Sequence, residues 1–219
     1  MHHLEADSIH LHFGGRTILS DVYLKCSVGE ILGIVGRNGC GKSSLLKIIF
    51  GSLQGENQSI RIDNTYTLRL FTRPHAVKYL PQSGLLPQRM KVKTAIRICL
   101  PDPEMQELVS TFTEINPHLE MRVGGLSGGI KRFLEIVLLL YSETHFLLLD
   151  EPFGHLSPVL IESLYPKIIA QAQQKGVIIT DHYYRHVINL SSRILLLRNG
   201  KTHIIQKEQE LVDLGYLPA

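Results

Sequence analysis

Short apolar runs and amphipathic stretches alternate along most of this chain. Residues 8–13 and 21–27 alternate between apolar and polar positions, which is typical of strands with one exposed face. Residues 31–35 are continuously apolar, as in a strand that is buried on both faces of a parallel sheet. The helical spacing of the apolar residues that follow predicts a helix over 42–50. We predict further strands within 58–81.

The middle of the chain has a different character. Prolines interrupt residues 83–126, and two short amphipathic helices are predicted near 92–99 and 104–114. A long helix is predicted to begin at Ser127. We therefore expect a small helical lobe, over about 83–142, inserted into the rest of the fold.

Apolar strands return in the last third of the chain, at residues 146–149, 177–180 and 194–197, with helical stretches between them. This alternation predicts an α/β fold with parallel strands and right-handed crossovers. With the N-terminal strands, the pattern predicts one domain over 1–219. Its expected parts are a mostly parallel core sheet, an N-terminal antiparallel β subdomain and the inserted helical lobe.

The composition favours a soluble globular protein, because 44% of the 219 residues are hydrophobic and 20% are charged. The net charge of +3 comes without a basic run, so we expect no nucleic-acid partner. The longest apolar run, residues 136–141, is far shorter than the roughly 20 residues of a membrane span. The N-terminus lacks the apolar segment of a secretory signal. The three cysteines form no CxxC pair, which favours reduced thiols.

A glycine-rich loop carries the first chemical signal. Residues 36–43 match G-x-x-x-x-G-K-[ST] between a predicted strand and a predicted helix. Backbone N–H groups of such a loop, together with the helix N-terminus, bind phosphate oxygens. Lys42 would bring a charge to the β- and γ-phosphates, and the Ser43 hydroxyl would ligate Mg²⁺. The loop predicts a P-loop NTPase. Its predicted ATP-binding residues are Gly36, Arg37, Asn38, Gly39, Cys40, Gly41, Lys42, Ser43 and Ser44.

Cys40 lies inside this predicted phosphate nest. A positive environment there would lower the pKa of its thiol, which makes redox control conceivable. A small residue that the loop tolerates is the simpler interpretation.

Two adjacent carboxylates, Asp150 and Glu151, end the apolar run 146–149. Neighbouring residues of an extended chain point to opposite sides, so the two acids should have different roles. Asp150 can reach Mg²⁺ beside the phosphate loop, often through water. Glu151 is then free to orient and polarise the attacking water.

Further motifs, in the right order, make the chain resemble the ABC ATPase family over nearly its whole length. Leu126-Ser127-Gly128-Gly129 resembles the signature motif of the family. Gln82 is similar to the Q-loop glutamine, and His182 to the switch histidine. Phe13 lies where the family has an aromatic residue that stacks on adenine. The resemblance implies that Gln82 contacts Mg²⁺ and water and that His182 touches the γ-phosphate.

The resemblance also implies a paired mechanism. Two cassettes, identical or close paralogues, would face each other head to tail. Each Mg-ATP would lie between the phosphate loop of one chain and Ser127, Gly128 and Gly129 of the other. The helix N-terminus at Ser127 suits this role because it offers free N–H groups to an anion.

The segment around the acids most resembles bacterial transport ATPases of the lipopolysaccharide-export and branched-chain amino-acid types. A separate integral membrane subunit is then the expected partner, and the expected location is cytoplasmic, peripheral at the inner face of the cell membrane. The alternative is a soluble ATP-switched clamp in assembly or DNA maintenance. A third interpretation is a module that binds ATP without hydrolysis, against which the intact Lys42, Asp150, Glu151 and His182 argue.

The chain departs from the family pattern in two places. Ile130 stands where the family usually has glutamine, and Ser157 where it usually has aspartate. We expect weaker coupling between the two ATP sites, with activity retained. The lobe between Gln82 and Ser127 is short, so the groove for a membrane partner is expected to be small.

Overall fold

The computed structural model describes residues 2–217. Within them the chain forms ten β-strands and seven α-helices. The strands are β1 (His3–Phe13), β2 (Arg16–Ser27), β3 (Ile31–Val35), β4 (Asn57–Ile62), β5 (Thr65–Tyr66), β6 (Val77–Leu80), β7 (Phe146–Asp150), β8 (Gly176–Thr180), β9 (Arg193–Arg198) and β10 (Lys201–Ile205). The helices are α1 (Lys42–Phe50), α2 (Val92–Cys99), α3 (Pro103–Thr111), α4 (Gly128–Tyr141), α5 (Pro158–Ala172), α6 (Tyr184–Leu190) and α7 (Gln209–Asp213).

An antiparallel sheet with the order β2-β1-β4-β5 forms the N-terminal part of the fold. The two predicted strands are present, and β1 starts earlier than predicted, at His3. Ser8 has φ 53°, and the pairing of β1 with β2 shifts register between Ala6 and Ile9. Because this bulge puts two polar residues in succession, it interrupts the alternation that marks a strand in the sequence.

The core sheet has the order β10-β9-β3-β8-β7-β6 and is parallel except for β10 at one edge. The predicted mostly parallel sheet is therefore confirmed. Strands β3, β7 and β8 are buried along their whole length, as their continuous apolar runs indicated.

Residues 58–81 contain further strands, as predicted, but these strands belong to two different sheets. The strands β4 and β5 belong to the antiparallel sheet, whereas β6 belongs to the core sheet. A short 3₁₀ helix, Leu70–Thr72, connects them, and only Leu70 within it is buried. The segment passes from one sheet to the other over the surface, which no periodicity along the chain could have indicated.

The helices between β6 and β7 agree closely with the predicted ones. The helix α2 has the predicted bounds, and α3 ends at Thr111 because Phe112 adopts an extended conformation. The helix α4 starts after Ser127, whose hydroxyl accepts a hydrogen bond from the backbone N–H of Ile130 at 3.3 Å.

Two apolar cores lie on opposite faces of the core sheet. One packs α4 and its neighbouring helices against Leu147 and Leu149, and the other packs α1 and the antiparallel sheet against Phe146 and Leu148. The carboxyl ends of β3, β7 and β8 therefore meet at one edge, where α/β folds place their ligands. No helix within residues 2–217 combines the length and apolar character needed to cross a membrane.

Candidate functional site

The loop between β3 and α1 is folded tightly around the side chain of Lys42. The ammonium group donates to the carbonyl of Gly36 at 2.7 Å and to that of Arg37 at 3.3 Å. Gly41 has φ 107°, and a Cβ there would lie 2.9 Å from Ile18. Only glycine suits this position, because it combines the left-handed conformation with close packing. The backbone of the loop is thus wrapped around a buried cation.

Two of the three predicted magnesium ligands meet at the start of α1. The Ser43 hydroxyl donates to Asp150 Oδ1 at 2.9 Å, although the residues are 107 positions apart. Asp150 is 1% exposed. A hydroxyl and a carboxylate are hard oxygen donors, so this pair fits Mg²⁺.

A third residue, Tyr79 of β6, donates its hydroxyl to Asp150 Oδ2 at 2.8 Å. Burial raises the pKa of Tyr79 well above its usual value, and the neighbouring Asp150 carboxylate raises it further. The phenol therefore stays protonated and remains a donor. Tyr79 was not among the predicted site residues; its place directly before Leu80 and Pro81 in the predicted strand was the only signal in the sequence.

The carboxylate of Glu151 is held from two sides. Gln82 Nε2 donates to Oε2 at 2.6 Å, and His182 Nε2 lies 2.7 Å from Oε1. Gln82, the third predicted magnesium ligand, thus contacts Glu151 and not the pair formed by Ser43 and Asp150. Glu151 has φ 51°, a strained conformation for this residue type that costs about 1–3 kcal/mol.

His182 also contacts the phosphate loop, since its Nδ1 lies 2.8 Å from the side-chain oxygen of Asn38. The segment that carries it is fixed by Asp181, which is 1% exposed. The Asp181 carboxylate accepts from the backbone N–H of Phe153 and of Tyr183, at 2.9 Å each. The loops after β7 and β8 are therefore tied together behind Glu151 and His182.

A cavity of about 270 Å³ lies over the phosphate loop. Phe13, which is 52% exposed, stands at its wall and presents an aromatic ring at the end of β1. The lining residues are Phe13, Ile18, Asn38, Gly39, Gly41, Lys42, Ser43, Ser44, Glu151 and His182. Most of the predicted ATP-binding residues are therefore brought together, with a charged end at the loop and an aromatic end at Phe13.

The predicted signature residues lie outside the cavity over the phosphate loop; they are Ser127, Gly128 and Gly129. In the part of the chain that the structure describes, none of the three lines the phosphate-loop cavity. Gly128 instead lines a neighbouring cavity of about 230 Å³, together with Gln82 and Glu151. The N-terminus of α4 is thus separated from the phosphate loop of its own chain.

The two departures from the family pattern also have defined positions. The backbone N–H of Ile130 closes the first turn of α4 onto Ser127. Ser157 precedes α5, and its hydroxyl accepts from the backbone N–H of Leu160 at 3.4 Å. Ser157 is therefore the N-cap of α5 as well as an exposed residue.

The thiol of Cys40 does not have the lowered pKa that a positive environment would produce. Burial raises its pKa, and the opposing influence of Lys42 is smaller. The simpler interpretation, a small residue that the loop tolerates, fits the packing better, since a Cβ on Gly36 would lie only 2.7 Å from Cys40 Sγ.

Comparison with known proteins gives a consistent result. A family model described as ABC transporter matches residues 19–154. The lipopolysaccharide export system ATP-binding protein LptB of Escherichia coli K12 is 30% identical over 92% of this chain and 88% of its own length. The branched-chain amino acid transport ATP-binding protein BraG of Pseudomonas aeruginosa is 28% identical over 90% of both chains. A solved ATP-binding subunit of an ABC transporter shares the fold, with a TM-score of 0.83, 21% identity and coverage of 99% of this chain and 95% of that chain.

Proposed function

Because the chain belongs to the ABC transporter family and is an ATPase of that family, we propose that it binds Mg-ATP over the loop before α1. We further propose that it hydrolyses the nucleotide as one of two paired cassettes and so powers a separate membrane transport subunit. Residues 1–219 would form one cassette, with the helical lobe at about 83–142. The observation that carries this proposal is the convergence of Gln82 and His182 on the carboxylate of Glu151 beside the phosphate loop.

The nucleotide would lie with its adenine against Phe13 and its phosphates in the loop from Gly36 to Ser44. Aromatic stacking suits the planar base, and the backbone N–H groups of the loop suit phosphate oxygens. Lys42 would exchange its carbonyl partners for oxygens of the β- and γ-phosphates, a stronger charge-assisted interaction. Asn38 would lie beside the γ-phosphate with His182.

The metal would be held by Ser43 and Asp150, with Gln82 turning toward it from Glu151. When bound, Mg²⁺ supplies charge neutralisation for the transferred phosphoryl group. Tyr79 would keep Asp150 oriented by continuing to donate to Oδ2.

Glu151 would position the attacking water in the catalytic step. Its carboxylate lies between Gln82 and His182, so both side chains can hold the water and the γ-phosphate in line with it. The contact between Glu151 and His182 must loosen as the γ-phosphate enters. Nucleotide binding would therefore change the contact between Glu151 and His182 that the structure shows.

The position of α4 supports pairing. The backbone N–H groups of Gly128 and Gly129 lie at a helix N-terminus that does not line the phosphate-loop cavity of its own chain. In a head-to-tail pair each of these termini would meet the ATP of the second chain. Loss of the γ-phosphate then removes a charge that both chains share, and the pair loosens.

A groove between α2 and α3, about 550 Å³ in volume, is the surface we propose for the membrane subunit. Its polar lining includes Lys93, Arg97, Gln106 and Glu107. The named relatives serve lipopolysaccharide export and branched-chain amino acid transport. By analogy the chain would work at the cytoplasmic face of the membrane.

Phosphate release by the wild type and by Glu151→Gln tests the enzymatic part. We expect Mg²⁺-dependent turnover in the wild type and a loss of at least about 100-fold in the variant, with fluorescent ATP still bound. A wild type as slow as the variant would refute the proposal. With ATP and Mg²⁺, the variant should also form a dimer in size-exclusion chromatography.

Capture of the tagged chain from native membranes tests the transport part. An integral membrane protein should copurify with the wild type. An exclusively soluble partner would instead favour an ATP-switched clamp in assembly or DNA maintenance.

A further inference from the structure

Arg132 is a buried cation on α4 that contacts the backbone at both acids. Its guanidinium donates through Nη2 to the carbonyls of Asp150 and Glu151, at 2.7 and 2.9 Å. Through Nη1 it donates to the carbonyl of Pro81, directly before Gln82, at 2.8 Å. One side chain therefore holds the backbone of the two segments that carry the residues around the attacking water.

Glu135 completes this arrangement one turn further along α4. Its Oε2 lies 3.6 Å from Arg132 Nη1 and compensates the buried charge. Its Oε1 accepts from the backbone N–H of Leu85 and of Leu86, at 2.8 and 3.1 Å. The pair is at most 7% exposed in its side chains, so water cannot easily replace these hydrogen bonds.

The arrangement of these carbonyls requires a guanidinium, which is planar and has several N–H donors. Three carbonyls from two segments converge on one guanidinium, and a lysine ammonium could not match their directions. One of these carbonyls belongs to Glu151 itself, whose φ of 51° lies outside the conformations that glutamate prefers. The backbone around it must therefore be held in place by its surroundings.

We propose that Arg132, supported by Glu135, is a positioning residue. Through its hydrogen bonds to the backbone, it makes the positions of Glu151 and Gln82 depend on the position of α4. This inference rests on the proposed function, because α4 begins at the glycines proposed to meet the ATP of the second chain. When pairing shifts α4, Arg132 carries the carbonyls of Pro81 and Glu151 with it. The carboxylate of Glu151 is thereby aligned only in the paired state.

Steady-state hydrolysis by Arg132→Lys and Arg132→Gln tests the proposal. The lysine variant keeps the charge and loses the planar arrangement of donors. We expect its kcat to fall about 10- to 100-fold, because small misplacements of catalytic groups have effects of this size. KM for ATP and the affinity for fluorescent ATP should stay within about twofold, since Arg132 does not contact the ATP cavity. Arg132→Gln should lose more activity than Arg132→Lys.

Lys175 offers a matched control, since it is a buried cation that donates to the carbonyls of Leu140 and Ser142 near the other end of α4. Lys175→Met should lower the melting temperature about as much as Arg132→Lys and leave kcat nearly unchanged. If kcat falls equally in both variants, Arg132 has a structural role only and the proposal is wrong. Unchanged kcat in a folded Arg132→Lys would also overturn it.

Hydrogen–deuterium exchange separates this inference from the proposed function, because it needs no turnover. In Arg132→Lys, the amides of residues 82–86, 151, 153 and 154 should exchange faster, and those of α1 should not change. Faster exchange at both segments in a chain without ATPase activity would support the positioning role and refute the catalytic proposal. Unchanged exchange would refute the positioning role whether or not the wild type hydrolyses ATP.

Discussion

The imidazole of His182 bridges Glu151 and Asn38. Its Nε2 lies 2.7 Å from Glu151 Oε1, and its Nδ1 lies 2.8 Å from the side-chain oxygen of Asn38. The imidazole therefore contacts both the phosphate loop and the carboxylate of Glu151.

Removal of this bridge should impair hydrolysis far more than binding. In His182→Ala we expect turnover to fall about 100-fold or more, because the γ-phosphate loses the donor that His182 would supply beside Glu151. The affinity for ATP should change little, since the phosphate loop and Phe13 are untouched. Phosphate release and titration with fluorescent ATP measure the two effects. His203→Ala, at an exposed position on β10, is the control and should behave as the wild type. Retained turnover in His182→Ala would contradict the proposed role.

Tyr79→Phe should weaken the response to Mg²⁺. Without the hydroxyl that donates to Asp150 Oδ2, the carboxylate is less firmly oriented toward the metal. We expect the Mg²⁺ concentration for half-maximal hydrolysis to rise several-fold, with little change in ATP binding measured in chelator. Tyr141→Phe removes a hydroxyl at the C-terminal end of α4, where the ring packs against Phe112, and is the matched control. Equal Mg²⁺ dependence in all three proteins would show that Tyr79 has no part in metal binding.

The local motifs were predictable because each joins a residue pattern to its chemistry within a few positions. The loop before α1, the acids at the end of β7 and the cap at Ser127 all lie where the pattern placed them. The contact between Ser43 and Asp150 followed from the meeting of strand ends in a parallel sheet.

Other features depend on tertiary contacts that leave no periodic trace. Arg132 looks like any exposed helical arginine in the sequence, and its burial comes from the carbonyls around it. The early start of β1 was hidden by the bulge at Ser8. The passage of residues 58–81 between two sheets likewise depends on which neighbouring strand each short strand pairs with.

Ser157→Asp should strengthen coupling between the two ATP sites. An aspartate can replace Ser157 as the N-cap of α5, so stability should be kept while a charge is added at the proposed interface. We expect a higher Hill coefficient for ATP-dependent turnover. Ser157→Ala is the control, because it removes the cap, costs about 1 kcal/mol of stability and adds no charge. An unchanged Hill coefficient in a stable Ser157→Asp protein would argue against this role.

Lys175 should make the stability of the chain rise with pH in mildly alkaline solution. Burial and, to a smaller extent, the nearby charge of Lys78 lower its pKa from 10.5 to about 8. Between about pH 8 and 9.5 the unfolded chain therefore binds more protons at this site than the folded chain does. The contribution of Lys175 to the free energy of unfolding should increase with pH in that range, by at most about 1.4 kcal/mol per pH unit.

Denaturant titrations of the wild type and of Lys175→Met at several pH values measure this contribution. The difference in the free energy of unfolding between the wild type and the variant should rise with pH in this range, since methionine keeps the length of the side chain and removes the titrating group. Burial raises the pKa of the thiols of Cys26, Cys40 and Cys99, which makes stability fall as pH rises, but both proteins contain these cysteines and their effect cancels in the difference. Parallel curves for the two proteins would mean that the ammonium is not buried as the structure places it.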